Sequence, residues 1–224
     1  MVDPFVLVVG NVKGGVGKST TAVQTALWAG HRGIRTLLVD ADPGATALSW
    51  ATRAPDWPHE VVPVIAHHTP DLPRRLGGLA AGFELVVVDC PHDPTGAAQV
   101  GPMLASAIAV ADLLVVPTPP AGADLDRLGD LLAAVDRERA RRDLRWCLAL
   151  VRVDLRRRAL AGEVVEALAG NDLPVLEGWV PERASVEDAF GTATRLVEYE
   201  HLVDELLAQI TPPEVVVTVA GGVL

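Results

Sequence analysis

Short apolar runs alternate with longer amphipathic segments along this chain of 224 residues. The apolar runs are rich in Val and Leu and do not alternate with polar residues, a pattern typical of parallel strands that are buried on both faces. Strands are predicted at residues 5–9, 35–40, 61–66, 84–89, 112–117, 145–151 and 173–176. The regular alternation of strands and helices predicts an α/β fold, with a doubly wound, mostly parallel sheet and helices on both of its faces.

Helices are predicted where apolar residues recur at every third or fourth position among polar ones. The predicted helices span residues 18–31, 44–53, 70–81, 95–109, 123–142, 156–169, 183–190 and 194–209. Ser185 followed by Asp188 predicts a capping box near the start of the seventh of these helices. We expect residues 1–210 to form a single domain, and the segment 211–224 to be a flexible tail or an edge strand.

The composition is typical of a globular protein, because half of the residues are apolar and 21% are charged. No signal-peptide pattern precedes the first predicted strand. The longest apolar stretch, residues 104–117, is interrupted by Asp112 and is too short to span a bilayer. We therefore expect a cytoplasmic location.

The cysteines and histidines do not form a metal-binding pattern. Cys90 and Cys147 have neither ligand spacing nor a disulfide-rich context, and we expect both to be buried, inert thiols. His67, His68 and His92 lie near predicted strand ends, but no second pair with ligand spacing accompanies them. These histidines are expected to have structural or surface roles.

A glycine-rich loop between the first strand and the first helix carries the strongest chemical signal. The chain has only two lysines, Lys13 and Lys18, and both lie in this loop. The residues predicted to contact nucleotide phosphates are Gly14, Gly15, Val16, Gly17, Lys18, Ser19 and Thr20. The glycines let backbone N–H groups turn toward phosphates, Lys18 would reach the β and γ phosphates, and the Ser19 hydroxyl would ligate Mg²⁺. The loop departs from the ordinary P-loop pattern, because Val12 stands where the first glycine is expected.

The extra lysine of this loop, Lys13, resembles the signature lysine of the deviant Walker A ATPases of the ParA/MinD family. In that family the lysine crosses a nucleotide-sandwich dimer and contacts the ATP of the partner. The resemblance therefore implies a catalytic role for Lys13 together with Lys18, a homodimer that forms on ATP binding, and ATP or ADP with Mg²⁺ as the ligands. A cation supplied in trans stabilises the charge on a transferring phosphoryl group, as an arginine finger does.

Two aspartate-containing segments extend the resemblance. The segment Asp40-Ala-Asp42-Pro resembles the V-D-x-D-P segment of the family, which implies that Asp40 helps to hold the Mg²⁺ shell and that Asp42 orients or activates the attacking water. The family normally has glutamine where Gly44 stands here. The strand that ends at Asp89 resembles the Walker B strand, which implies that Asp89 contacts Mg²⁺ through water.

The resemblance continues toward the carboxyl terminus. Residues 179–198 resemble the P-x-R … A … G … V-x-E stretch that closes the family's pattern. By resemblance, the adenine pocket lies near Arg152 and Pro181. The resemblance covers about residues 5–208.

Positive charge is concentrated in one part of the chain. The formal net charge of −10 argues against general affinity for nucleic acid. Residues 126–158, however, hold ten arginines against six acids, which gives this segment a charge of about +4. Arg156, Arg157 and Arg158 are predicted to form a non-specific DNA-binding surface that dimerisation doubles, and the alternative is a solvated face in an arginine-rich chain.

These features predict a ParA-type ATPase of the short plasmid class that partitions plasmid or chromosomal DNA. Its ATP dimer would bind DNA on the nucleoid, hydrolyse ATP slowly alone, and be released when a ParB-like centromere-binding partner stimulates hydrolysis. A ParA-like protein that positions a protein cargo, and a non-hydrolysing nucleotide-dependent scaffold, stay as alternatives. A MinD-like membrane protein is disfavoured, because residues 198–205 form an acidic face instead of a basic amphipathic helix. A nitrogenase-type reductase is disfavoured, because the two cysteines offer no cluster-ligating set.

Overall fold

Seven parallel strands form one sheet at the centre of the molecule. A computed structural model of the chain describes residues 3–92, 100–120 and 128–210. The strands are β1 (Phe5–Val9), β2 (Thr36–Asp40), β3 (Val64–Ala66), β4 (Leu85–Asp89), β5 (Leu113–Thr118), β6 (Arg145–Val153) and β7 (Val175–Pro181). Their order in the sheet is β3-β2-β4-β1-β5-β6-β7, and every neighbouring pair is parallel. The predicted α/β class and the parallel sheet are confirmed.

Helices cover both faces of this sheet. They are α1 (Lys18–His31), α2 (Thr46–Arg53), α3 (Leu72–Leu79), α4 (Pro102–Ile108), α5 (Gly129–Arg139), α6 (Arg158–Gly170), α7 (Ala184–Glu187) and α8 (Glu200–Ile210). Two short 3-10 helices lie at Leu155–Arg157 and Val197–Tyr199. One buried core lies under α1, α2 and α8, and a second lies on the opposite face under α3, α4, α5 and α6. The strands are apolar on both faces because each face has its own core.

The strand order places a crevice at the carboxyl ends of the central strands. The chain leaves β1, which lies between β4 and β5, and the connections then diverge toward opposite edges of the sheet. Such a switch point is where open α/β sheets bind ligands. Across the sheet, Val9 of β1 and Asp40 of β2 both lie opposite Asp89 of β4. The polar residues that end these strands therefore converge on the crevice.

Several local predictions differ from the structure. The capping box is wrong, because the N-cap of α7 is Arg183 without a side-chain cap, and the Ser185 hydroxyl instead donates to Glu198 Oε1 at 2.7 Å. The strand predicted at residues 173–176 runs from Val175 to Pro181. Parts of two predicted helices, residues 95–99 and 123–127, and the predicted tail at 211–224 lie outside the described residues.

The cysteine prediction is confirmed, because Cys90 and Cys147 are both free and buried. Burial raises the pKa of Cys147 to about 12, and raises the pKa of Cys90 as well. Both thiols are therefore neutral at physiological pH. In the part of the chain that the structure describes, no helix is both long enough and apolar enough to cross a membrane.

Candidate nucleotide-binding site

The glycine-rich loop leaves β1 and leads directly into α1. Gly15 and Gly17 have φ angles of 71° and 78°, in the left-handed region that favours glycine. The Asn11 side chain anchors the base of the loop, because its Nδ2 donates to the Pro117 carbonyl at 2.8 Å and its Oδ1 accepts the Lys13 N–H at 3.0 Å. The loop thus presents its backbone at the amino terminus of α1, where N–H groups and the helix dipole favour anions.

The two lysines of the loop are in different environments. Lys18 is the first residue of α1 and is 7% exposed, whereas Lys13 is half-buried earlier in the loop. The Lys18 ammonium donates to the Lys13 carbonyl at 2.8 Å. Burial lowers the pKa of Lys18, and the carboxylates of Asp89 and Asp42 favour its charged form. A buried ammonium beside these carboxylates is suited to bind an anion that enters the loop.

The predicted carboxylates Asp40 and Asp42 form a tight turn between β2 and α2. Asp40 is fully buried; its Oδ1 accepts the Asp42 N–H at 3.1 Å and its Oδ2 accepts the Leu48 N–H at 2.8 Å. Burial raises the pKa of Asp40, while these two N–H groups oppose the rise. Asp42 Oδ1 accepts the Gly44 N–H at 2.8 Å. A Cβ at Gly44 would lie 3.2 Å from that oxygen, so the turn leaves little room for a longer residue there.

Asp89, at the end of β4, is a polar residue of the site whose side chain lacks hydrogen bonds. It is fully buried, and neither carboxylate oxygen has a hydrogen-bond partner. Burial raises the pKa of Asp89 to about 7. The nearby Ser19 hydroxyl and the Lys18 ammonium oppose this rise, although the Ser19 hydroxyl does not have the geometry of a hydrogen bond to Asp89. Because a buried carboxylate without a partner destabilises the folded state, we infer that a ligand binds at this position.

The donor set fits a magnesium ion better than a metal held by protein ligands alone. Among the described residues, no group of three or more His, Cys, Asp or Glu side chains could hold a metal ion. Mg²⁺ keeps several waters and binds through one or two protein oxygens plus substrate phosphates. The Ser19 hydroxyl and the Asp89 carboxylate lie together beside the loop, so they fit this mode of binding.

A cavity of about 590 Å³ adjoins the loop and the first turn of α1. Its phosphate end is formed by Lys18, Ser19, Thr20 and Asp42. Its lining also includes the predicted base-side residues Arg152 and Pro181, together with residues that the sequence did not single out. These additional lining residues include the apolar and aromatic side chains Trp50, Val186, Phe190 and Tyr199 and the charged side chains Glu182, Arg183 and Glu187. The cavity is therefore lined by polar and charged side chains together with aromatic and aliphatic ones, as ligand sites commonly are.

The aromatic residues that line the cavity are held by contacts between distant segments. Trp50 of α2 donates its Nε1–H to the Thr192 carbonyl at 2.7 Å, and its ring lies 5.5 Å from the ring of Phe190. The Tyr199 hydroxyl lies 3.4 Å from Thr21 Oγ1 of α1. These side chains are separated by up to 178 positions from their partners, so short-range sequence patterns could not reveal them.

The remaining predicted residues are His92 and the three consecutive arginines after β6. His92 lines the cavity, and its ring lies 3.3 Å from the position that a Cβ on Gly14 would occupy. His92 thus packs on the phosphate loop, which its sequence position did not indicate. Arg156 is exposed in the 3-10 helix after β6, and its N–H donates to Asp154 Oδ1 at 2.9 Å. The side chains of Arg157 and Arg158 lie outside what the structure describes.

The parallel sheet, the glycine-rich loop at the start of α1 and the carboxylates at neighbouring strand ends define a P-loop nucleotide-binding fold. A family model described as the CobQ/CobB/MinD/ParA nucleotide-binding domain matches residues 7–196. The chain belongs to this family.

Known proteins resemble the chain over most of its length. The maintenance of carboxysome distribution protein A of Gloeobacter kilaueensis is 37% identical over 194 residues, which cover 82% of each chain. The chromosome-partitioning ATPase Soj of Thermus thermophilus is 32% identical over 157 residues, which cover 58% of this chain and 61% of Soj. The cobyrinic acid a,c-diamide synthase of Mycobacterium smegmatis, solved with an ATP analogue and magnesium, has a TM-score of 0.69 at 22% identity, covering 92% of this chain and 95% of that one. At this identity the synthase supports the fold alone.

Proposed function

We propose that this chain is a Mg²⁺-dependent ATPase of the ParA type that acts as an ATP-bound homodimer. The main observation behind this proposal is that Lys18 lies close to Asp42 and to the unpartnered carboxylate of Asp89, beside the phosphate loop. The family model that matches residues 7–196 describes a nucleotide-binding domain, which supports a nucleotide as the ligand of this chain.

In this proposal the loop residues from Gly14 to Thr20 bind the phosphates through backbone N–H groups at the start of α1. Lys18 leaves the Lys13 carbonyl and binds the β and γ phosphates. Ser19, Asp40 and Asp89 would hold the magnesium shell, and a bound ion would supply neutralisation of charge on the phosphate oxygens. Asp42 orients the attacking water at the γ phosphate.

Two groups complete the reaction cycle. Lys13 of each subunit contacts the ATP of the other, so hydrolysis requires the dimer. Arg156, Arg157 and Arg158 of both subunits bind DNA phosphates without sequence preference. Because the chain is acidic overall, at −10, this local basic surface confines DNA binding to one region. A ParB-like partner stimulates the otherwise slow hydrolysis and releases the dimer from the nucleoid.

The nature of the cargo separates two candidates. Partition of plasmid or chromosomal DNA is supported by the similarity to Soj, which covers 58% of this chain. Positioning of a protein cargo on the nucleoid is supported by the similarity to the carboxysome distribution protein, which covers 82% of this chain at higher identity. The wider alignment favours the protein cargo. Both candidates use the same ATPase site and the same DNA surface.

ATP turnover tests the reaction and separates an ATPase from a non-hydrolysing scaffold. We expect slow release of phosphate from ATP that is abolished by EDTA and by the substitution Lys18→Ala, and that increases with DNA and partner protein. Arg35→Ala is the matched control, because Arg35 pairs with Glu84 at the amino ends of β2 and β4, away from the site, at 3.4 Å. Binding of ATP without any turnover under these conditions would favour the scaffold.

The DNA surface is tested by replacing Arg156, Arg157 and Arg158 together with alanine. We expect ATP-dependent DNA binding to weaken and its salt dependence to fall, because each lost phosphate contact removes about 0.9 from the slope of log K against log salt. The control replaces Arg74 and Arg75, which are exposed on α3. If the triple variant kept the affinity and salt slope of the wild type, the DNA surface would lie elsewhere.

A further inference from the structure

Arg152 lies at an irregularity in β6. Val151 packs into the core under α1, whereas Val153 packs into the core on the opposite face. In a regular strand, residues two positions apart share a face. Arg152 is the extra residue that breaks the alternation; its φ is 57°, and the register with β7 shifts between Leu150 and Val153. Such bulges re-aim a side chain, and residues other than glycine adopt this backbone conformation at a cost.

The re-aimed guanidinium joins three segments of the site. Its Nη1 donates to the Gly15 carbonyl of the phosphate loop at 3.0 Å. Its Nη2 donates to Glu182 Oε1 at 2.9 Å, directly after β7. The Glu182 N–H in turn donates to the Val153 carbonyl at 2.9 Å. Arg152 therefore links the ends of β6 and β7 to the loop between β1 and α1.

This contact fixes the direction of a peptide group in the loop. In a trans peptide the carbonyl and the following N–H point in opposite directions. If the Gly15 carbonyl is held by Arg152, the direction of the Val16 N–H is fixed as well, because it faces away from Arg152. Lys18 holds the Lys13 carbonyl in a similar way, but Lys18 has to leave for the phosphates. Arg152 is able to keep its contact when a nucleotide binds.

We infer that Arg152 and Glu182 form a brace that holds the phosphate loop in its binding conformation before the nucleotide arrives. Arg152 is then a positioning residue that acts through the loop, and not a contact of the base. This inference rests on the proposed nucleotide-binding function. The bulge in β6 is necessary for this contact, because a regular strand would direct the Arg152 side chain toward one face of the sheet and not toward Gly15.

Hydrogen exchange of the nucleotide-free protein tests the brace without any ligand. In Arg152→Ala we expect several-fold faster exchange of the amides at residues 13–17, because local opening of the loop becomes easier. Glu182→Ala should have the same effect to a smaller extent. Arg152→Lys should restore most of the protection, because an ammonium is able to reach the Gly15 carbonyl, although it lacks the planar fork that holds both partners.

Binding measurements then separate a brace from a base contact. If Arg152 is a brace, Arg152→Ala should weaken the binding of MgATP and of magnesium tripolyphosphate by a similar factor of about ten, which corresponds to one unit in log Kd. The double variant with Glu182→Ala should be no weaker than Arg152→Ala alone, because both residues act in one unit. Arg35→Ala, which removes the exposed pair with Glu84 at the amino ends of β2 and β4, should change neither measurement.

Three results would overturn the brace. One is unchanged loop exchange in Arg152→Ala, and another is a loop already unprotected in the wild type. The third is weaker ATP binding with unchanged tripolyphosphate binding, which would make Arg152 a base contact. A wild-type protein that binds no ATP would refute the proposed function instead, and the exchange of the loop amides would still decide whether the brace exists.

Discussion

A buried carboxylate without a partner destabilises a protein until a ligand arrives. Asp89 is in this position, because burial raises its pKa from 3.8 to about 7. Since the folded state favours the protonated form, this group stabilises the fold fully below pH 4, and the contribution is lost as the pH rises through 7. The nucleotide-free site therefore lowers the free energy of unfolding at neutral and higher pH, as functional sites commonly do.

The substitution Asp89→Asn should stabilise the nucleotide-free protein at pH 8 in EDTA. The pKa difference corresponds to at most about 4 kcal/mol, and the unpartnered amide offsets part of it, at about 1–3 kcal/mol. We expect a net gain of about 1–2 kcal/mol in the free energy of unfolding at pH 8. Urea unfolding at pH 8 and pH 5 checks this, because the gain should shrink or reverse at the lower pH.

Asp40→Asn is the contrasting variant. Its two carboxylate oxygens accept the N–H groups of Asp42 and Leu48, and asparagine keeps only one of these acceptors, so one N–H would lose its partner at a cost of about 1–3 kcal/mol. Because burial also raises the pKa of Asp40, removal of its charge offsets part of this cost, and we expect Asp40→Asn to gain less stability at pH 8 than Asp89→Asn. If Asp89→Asn destabilised the protein equally at both pH values, the buried charge of Asp89 would not be the cause.

The sequence predicts those site residues that lie in one continuous segment or directly after a strand. Lys18, Asp42 and Asp89 are of this kind, because a parallel sheet brings strand ends together. It does not reveal Trp50 or Tyr199, since each reaches the cavity only through packing between distant segments. Trp50 has an apolar helical position that is indistinguishable in sequence from any core residue.

At the scale of elements, the strands of the sheet interior could be predicted nearly to the residue, whereas β7 could not. The interior strands β1 and β4 are continuous Val and Leu runs. The strand β7 lies at the edge and contains Gly178 and Pro181, which favour a turn when read as sequence. It also pairs with β6 across two register shifts. Its extent therefore depends on tertiary contacts.

The docking of α8 on β7 makes Gly178 a sensitive position. A Cβ there would lie 2.8 Å from the Leu202 nitrogen and 2.8 Å from Glu205 Oε1. Glu205 also accepts the N–H groups of Glu177 and Gly178. Because backbone atoms of α8 cannot yield without moving the helix, Gly178→Ala should cost about 1–3 kcal/mol of stability, measured by urea unfolding.

The matched control for this glycine is Gly162→Ala in α6. Gly162 is exposed, and a Cβ there would meet nothing within 4 Å. We expect this variant to be neutral or more stable by up to about 1 kcal/mol, because alanine favours a helix interior. Equal stabilities of the two variants would mean that α8 does not approach β7 closely at Gly178.

For the whole molecule, the two lysines of the phosphate loop separate nucleotide binding from assembly. Lys18 is buried beside the carboxylates of its own site, which suits it to bind the nucleotide of its own chain. Lys13 lies earlier in the loop and is half-buried. In the proposed dimer its ammonium reaches the ATP of the partner, where a second cation stabilises charge on the transferring phosphoryl group.

Replacing Lys13 with alanine should therefore spare ATP binding and abolish the ATP-dependent dimer. Because the lost cation acts in trans, turnover should fall by a factor of about 10³ or more, the range in which an arginine finger acts. Sedimentation with and without MgATP measures the assembly, and calorimetry on the same samples measures binding. Lys18→Ala is the comparison variant, and it should lose both ATP binding and the ATP-dependent dimer. An unaltered ATP dimer of Lys13→Ala would place the trans contact elsewhere, whereas loss of ATP binding in that variant would assign Lys13 to the nucleotide of its own chain.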